Sequence, residues 1–504
     1  MSVRGPRSAL LDGRLMVDDA PFLILGAELH NSSTSAPASI DAAWQAVERC
    51  GANTVLAPVA WDQWEPAEGQ FSTQLVDHLL RRARAGGQRL VLLWFGSWKN
   101  GVSSYSPAWV KSDPERFPLA RDSEGTTLMA LSAFAESNMS ADARAFAGLM
   151  RHLRDVDGDH GTVVMVQVEN EVGLLGSARD HSALARSAWE QRPPERFEVD
   201  TWSNVDSDQA RAGEAFMAWH YARYVNSVIE AGRREWDLPM YVNAWLDGGE
   251  DATPMAGGTD PGDFPSGGPV PRVLGIWAAA APALSFASPD VYVGDVADRA
   301  AAYGRRFGVR FVPEMRRDSA AQLFRAAAAA SSIGMAPFGI DSAGEVELDD
   351  LARAYRQLGA VAPILVARPP HERAAVHVDD ARPHTEVVLD GWRFRIERDF
   401  DPQGEGNRPD GHCLLVADGG RFLAVGYGVV VHAFRDADGA AGWVLDCAEL
   451  DPDALEPVRW LNGDETGGGT HIRITRDDPP GFGPVPIDGS RTGILSFALY
   501  PQPS

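Results

Sequence analysis

Between residues 22 and 360 short apolar runs alternate with longer stretches whose apolar positions recur every three to four residues. Apolar runs of strand length bounded by glycine and polar clusters read as buried strands. The stretches between them read as amphipathic helices, so the pattern predicts repeated βα units around a parallel sheet. Strands are predicted at residues 22–27, 54–59, 90–95, 163–168, 240–244, 309–312 and 335–340, with a weaker one at 290–292. Helices are predicted over residues 39–50, with Ser39 or Asp41 as cap, and over 73–85, 141–156 and 213–234. Eight strands of this kind fit an α/β fold, the (β/α)8 TIM barrel, whose functional residues gather at the C-terminal strand ends. The segments after the third, fourth and fifth strands, residues 96–132, 173–202 and 247–271, are the longest, as expected of loops that shape a cleft on one barrel face. Residues 253–271 hold five glycines and five prolines, which suits either a lid or an unstructured connection.

From residue 371 the helical period gives way to alternation. Runs at 385–389, 392–396, 413–416, 422–425, 443–445, 471–474 and 494–499 are separated by Gly, Asp and Pro turns, and Asp418-Gly419-Gly420 suits a hairpin. This predicts a smaller antiparallel β-sandwich. Arg368-Pro369-Pro370 marks the break, so residues 1–366 are assigned to the barrel and 367–504 to the sandwich.

A length of 504 residues agrees with a large domain plus a smaller one. The 46 basic and 70 acidic side chains leave a net charge of −24, which excludes nucleic acid and anionic membrane as natural partners. No stretch approaches the roughly 18 apolar residues of a spanning helix, and Arg4, Arg7, Asp12 and Arg14 interrupt any secretory leader, so the cytoplasm is the expected location. Cys50, Cys413 and Cys447 are too few and scattered for a disulfide framework and read as packing thiols. No glycine-rich phosphate loop follows a strand, and His371 and His377 lack ligand spacing, so neither cofactor nor metal is expected.

Two glutamates stand out. Glu171 and Glu314 each lie where an apolar run gives way to a polar loop, on the fourth and seventh predicted strands. Hydrolysis of a glycosidic bond with retained stereochemistry needs two carboxyl groups about 5–5.5 Å apart, one to protonate the leaving oxygen and one to attack the anomeric carbon. Glu314 would attack, and Glu171, kept protonated by its charged neighbour, would serve as acid and then base. Asn170 beside Glu171 would then meet the 2-hydroxyl of the sugar. A salt bridge from Glu314 to Arg310, Arg316 or Arg317 is the plainer reading of that residue. Fifteen tryptophans suit stacking on pyranose faces as well as core packing.

The segment from Gln167 to Gly173 resembles the QxENEYG acid/base signature of the β-galactosidases of glycoside hydrolase family 35, with Val172 in place of tyrosine. The segment from Trp61 to Phe71 is similar to WxxHEPxxGxF of families 35 and 42, with Trp64 in place of histidine. Trp98-Lys99-Asn100-Gly101, the run from Ser106 to Lys111 and Phe311-Val312-Pro313-Glu314 resemble an allied bacterial subgroup with a C-terminal β-domain. The resemblance is to the retaining clan A glycoside hydrolases and implies an exo-acting β-galactosidase on an oligosaccharide or glycoside. A β-glucoside, β-mannoside or α-L-arabinoside, or a non-catalytic carbohydrate-binding barrel, are the alternatives.

It also implies supporting roles. Glu28 and His30 would lie near the sugar or form a buried polar network, and Trp61, Trp98 and Trp277 would be stacking platforms or core. Asn100 and Asn243 would bind hydroxyls, and Tyr292 would hydrogen-bond the nucleophile. Apart from the resemblance, Asp341 follows the eighth predicted strand, where it would equally bind substrate or cap a helix. Related barrels form dimers or trimers, which makes a homo-oligomer an expectation here.

Overall fold

The computed structural model describes residues 7–248, 258–399, 410–474 and 489–503. Eight parallel strands close into a barrel: β1 (Ile24–Glu28), β2 (Thr54–Ala60), β3 (Arg89–Lys99), β4 (Val163–Asn170), β5 (Met240–Trp245), β6 (Phe286–Val291), β7 (Arg310–Met315) and β8 (Ser332–Pro337). They are hydrogen-bonded in chain order, and β8 closes on β1. A strand covered on both faces has no wet side, which is why β2 and β4 are buried along their whole length and read as continuous apolar runs. Inside, Ile24, Leu56, Leu93, Phe95, Tyr241, Phe286 and Phe311 form one cluster. An N-terminal antiparallel ribbon, Ser8–Leu11 with Arg14–Val17, adds Leu15 and Val17 to it. Truncating a fully buried member such as Leu93 to alanine costs about 2–5 kcal/mol.

Helices follow the strands in sequence: α1 (Pro37–Cys50), α2 (Gln74–Gly86), α3 (Glu136–Asp157), α4 (Gln209–Arg233), α5 (Leu274–Ala280), α6 (Ala301–Phe307), α7 (Ala320–Ala328) and α8 (Glu345–Ala367). In α2 the buried residues Val76, Leu79, Leu80 and Ala83 form one stripe at helical spacing. It stops where Gly87 turns left-handed at φ 74°, letting the Gln88 N–H reach the Ala83 carbonyl at 2.9 Å. No helix among the described residues is long and apolar enough to cross a membrane.

Several strand ends differ from expectation, β3 for instance running to Lys99, and two of the differences change where a candidate residue lies. β6 begins earlier than the predicted 290–292, because Ser288, Pro289 and Asp290 dilute the apolar signal of a strand that is nonetheless buried throughout. β8 ends at Pro337, before the predicted 340, so Asp341 sits in the single turn Ile340–Ser342. There it accepts the His30 N–H at 3.1 Å and the Ser33 hydroxyl, tying down the loop after β1.

The chain packs as two compact units, and the division does not follow the chain at residue 366. Arg49–Gly51, Arg317–Ser332 and Gly344–Ser504 form the second unit, so α7 and α8 group with the C-terminal strands. Gln357 of α8 donates to the carbonyls of Gly426 at 3.0 Å and Thr492 at 3.1 Å, and Arg325 of α7 donates to that of Ala375 at 3.1 Å.

That unit contains two antiparallel sheets. The larger joins β9 (Arg373–Val378), β12 (Gly411–Asp418), β13 (Arg421–Tyr427), β15 (Gly442–Leu450), β16 (Pro457–Trp460) and β18 (Ile494–Pro501). The smaller joins β10 (His384–Leu389), β11 (Trp392–Arg398), β14 (Val429–Arg435) and β17 (Ile472–Ile474). Phe394, Ile396 and Val431 from the smaller sheet meet Leu415, Phe422 and Phe497 from the larger in one core, as a sandwich requires. The expected hairpin links β12 to β13, with Gly419 at φ 61° and Gly420 at φ 87° as a two-residue turn demands. Cys50, Cys413 and Cys447 are all buried. Strands β9, β14 and β16 were not foreseen; His377 lies on β9, where its Nε2 meets Asp410 at 2.9 Å.

Candidate active site

The C-terminal ends of β4, β5, β6 and β7 carry one connected set of polar side chains. At the end of β4 the chain leaves extended geometry: Glu169 lies at φ 63° and Glu171 at φ 46°. Left-handed backbone is costly for residues with a Cβ and persists where the surroundings enforce it. Here the Glu171 N–H donates to Asn243 Oδ1 at 2.9 Å, and Asn243 Nδ2 donates to Asp290 Oδ2 at 2.7 Å. One amide on β5 therefore fixes the main chain of β4 and a carboxyl on β6. Asp290 is the register partner of Glu314 on β7, and the Tyr292 hydroxyl donates to Glu314 Oε1. Carboxylate oxygens of Glu171, Asp290 and Glu314 all lie within 4.8 Å of one another.

Burial and mutual repulsion decide who holds protons. Glu171 is pushed up to about 7, chiefly by burial and then by the charge of Glu314, with Lys99 opposing. Asp290 is raised well above the usual carboxylate range by burial, then by Glu314, Glu171 and Glu28. Glu28 rises as well, from burial and then from Glu314. Carboxyl oxygens this close are also a donor set of the kind that holds a hard cation.

A cavity of about 320 Å³ opens on these groups. Glu171, Glu314, Tyr292 and Asn100, all expected, line it. Asn243 stands behind it with both ends of its amide engaged, so it positions the carboxyls instead of presenting itself to a hydroxyl. Asn170 is fully buried beside Glu171, and neither atom of its amide has a partner among the described residues. Glu28 is buried with Oε2 unpartnered.

The three expected tryptophan platforms lie elsewhere, and the expectation is corrected on their burial. Each is fully enclosed: Trp61 donates to Glu65 at 2.9 Å, Trp98 to the Leu131 carbonyl at 3.2 Å, and Trp277 to the Gly267 carbonyl at 3.0 Å. None lines the cavity, and Trp98 is clasped edge-on by Tyr221 and Tyr224. Trp245, at the end of β5, is the tryptophan that does line it. Lys99, Asp290 and Arg299 were also missed. The signal for both Lys99 and Trp245 was available, since Lys99 lies between Trp98 and Asn100 and Trp245 is two residues after Asn243. Asp290 was hidden because its strand was placed too late. Part of the glycine- and proline-rich segment 253–271 lies outside the described residues.

Residues 33–236 match the model of a family described as β-galactosidase, glycoside hydrolase family 42. Residues 351–473 match a domain family of unknown function. The match spans β2, β3 and β4 of the barrel with helices α1 to α4, so this part of the chain is similar to that β-galactosidase family. The matched stretch includes Glu171 and stops before Glu314. Among solved structures the chain resembles β-galactosidase from the psychrophilic Marinomonas ef1 at 12% identity and TM-score 0.47, covering 69% of this chain and 61% of that one. It resembles β-galactosidase from Bacillus circulans sp. alkalophilus at 12% identity and TM-score 0.48, covering 69% of this chain and 57% of the other. The chain thus spans about three fifths of the length of these structures. No curated protein matches it.

Proposed function

We propose that the protein is a retaining exo-β-galactosidase that uses Glu314 as nucleophile and Glu171 as acid and base. The observation that carries this is the spacing: an oxygen of one carboxyl lies within 4.8 Å of an oxygen of the other, nearer the roughly 5–5.5 Å of retaining enzymes than the roughly 6.5–9.5 Å of inverting ones. Glu171, with its proton held to about pH 7, gives that proton to the glycosidic oxygen as Glu314 attacks the anomeric carbon and the aglycone leaves. The galactosyl ester on Glu314 is then opened by a water that Glu171 deprotonates, returning both groups to their starting state. The Tyr292 hydroxyl orients Glu314, the unpartnered amide of Asn170 suits the 2-hydroxyl, and Trp245 offers a face for the pyranose. A cavity near the lower end of ligand-pocket volumes fits release of single terminal sugars.

The test is covalent capture. Incubation with 2,4-dinitrophenyl 2-deoxy-2-fluoro-β-galactoside, whose fluorine slows the second step, should add one sugar to the peptide carrying Glu314. A label elsewhere removes the nucleophile assignment. A nitrophenyl glycoside panel fixes the sugar, and turnover of the glucoside, mannoside or arabinoside with none of the galactoside would overturn galactose.

A further inference from the structure

The cavity contains a lysine of the Trp98-Lys99-Asn100-Gly101 motif to which neither the resemblance nor the mechanism above gives a role. Lys99 ends β3, and its register partner on β4 is Asn170, the residue before Glu171. A tight turn follows it at once. The Lys99 N–H reaches the Val102 carbonyl at 2.8 Å and the Val102 N–H returns to the Lys99 carbonyl at 3.1 Å. The two residues between, Asn100 at φ 53° and Gly101 at φ 68°, both have the positive φ of a primed hairpin turn, for which Asn-Gly is the favoured pair. The turn holds Lys99 and Asn100 rigidly at the cavity wall.

The Lys99 side chain is 95% buried by residue, lines the cavity, and has no hydrogen-bond or ion-pair partner among the described residues. The ammonium lies over the Phe95 ring, 5.3 Å from its centroid. An enclosed ammonium that is not directly paired is costly to keep in a protein interior. The Oδ1 atom of neighbouring Asn100 is likewise buried and unpartnered. Two adjacent polar groups on one rigid turn thus face the cavity with their hydrogen-bonding capacity unspent. The ammonium also lies within electrostatic reach of the reacting groups, since it lowers the proton affinity of Glu28, Glu171 and Asp290.

We propose that Lys99 is a substrate-binding residue, donating hydrogen bonds to hydroxyl oxygens of the sugar held between Glu171 and Glu314. The inference rests on the glycosidase reading and names a further contact for it. An ammonium has three donors and no acceptor, so its ligand must present oxygen acceptors. The hydroxyl oxygens of a neutral sugar meet that need.

The test pairs Lys99→Met with monodeoxy galactosides lacking the 2-, 3-, 4- or 6-hydroxyl. Galactose binding is measured by calorimetry alongside hydrolysis, and Lys99→Gln serves as a second variant should the methionine protein fail to fold. On the parent galactoside Lys99→Met should lower kcat/KM about 10- to 100-fold, the value of a charge-assisted hydrogen bond. On one deoxy substrate, the one lacking the hydroxyl that Lys99 holds, the penalty should shrink to about threefold or less. Lys99→Gln, which keeps a donor, should lose less than Lys99→Met. An equal penalty on every deoxy substrate overturns the contact while leaving the glycosidase reading intact. Failure of the wild-type enzyme to bind galactose or cleave any glycoside sinks both.

Discussion

Two buried glutamates close together on one strand end have different surroundings. Glu169 and Glu171 are both enclosed and both raised in proton affinity, with burial the largest cause in each. Glu169 faces packed protein: its Oε2 accepts the Trp98 N–H at 2.8 Å, and Asp142 is its charged neighbour. Asp142 in turn accepts the Trp94 indole at 2.9 Å and the Ser97 N–H at 3.2 Å. A side chain on Gly96 would collide there, with a Cβ only 2.7 Å from Glu169 Oε1. Glu171 instead faces a cavity with Asp290 and Glu314 across it. A perturbed carboxyl alone therefore does not mark a catalytic acid. The mark is a perturbed carboxyl that shares an open space with a second one.

The contrast can be broken or sharpened by substitution. The largest effect is expected from Glu314→Gln, which removes the attacking oxygen and should lower kcat by about 10⁴-fold or more with the thermal transition unchanged. Next comes Glu171→Ala, for which a loss of about 10²- to 10⁴-fold is expected. Azide should restore turnover and yield the β-galactosyl azide, because a small anion can enter from the face the carboxyl vacated; an α-azide or no rescue contradicts the assignment.

The third effect concerns stability. The folded protein holds the Glu171 proton to about pH 7, whereas the unfolded chain releases it near the ordinary value of 4.5. The folded state thus binds more protons between these values, so its stability is greatest below about 4.5 and declines as pH rises through about 7. Glu171→Gln removes that decline and should be up to about 3 kcal/mol more stable than wild type at pH 8 but not at pH 4, as read by denaturant titration. The smallest effect belongs to Glu169. Held protonated among fixed neighbours, it should tolerate Glu169→Gln within about 1 kcal/mol and with most activity kept, whereas Glu169→Ala leaves the Trp98 N–H unpaired and costs about 1–3 kcal/mol.

Much of this was legible in the chain. Continuous apolar runs announce strands buried on both faces, so β2, β3, β4 and β5 begin within a residue of their predicted starts. Glu171 and Glu314 were legible because each ends such a run. β6 was misplaced because Ser288, Pro289 and Asp290 are polar or strand-breaking types buried by tertiary context, and Asp290 was lost with it. The tryptophans misled for a related reason: an indole looks the same in sequence whether it faces a cavity or a wall of side chains, and Trp61, Trp98 and Trp277 all face the wall. The grouping of α7 and α8 with the C-terminal strands left no trace in composition, because it depends on contacts such as those of Gln357 with Gly426 and Thr492.

The central claim is that Glu171 and Glu314 act on one anomeric carbon by double displacement, at the short separation of retaining enzymes. Proton NMR of the reaction with a β-galactoside, recorded before mutarotation equilibrates the product, addresses it most directly. β-Galactose as the first-formed anomer is the predicted result. α-Galactose appearing first would mean a single inverting displacement by water and would contradict the account.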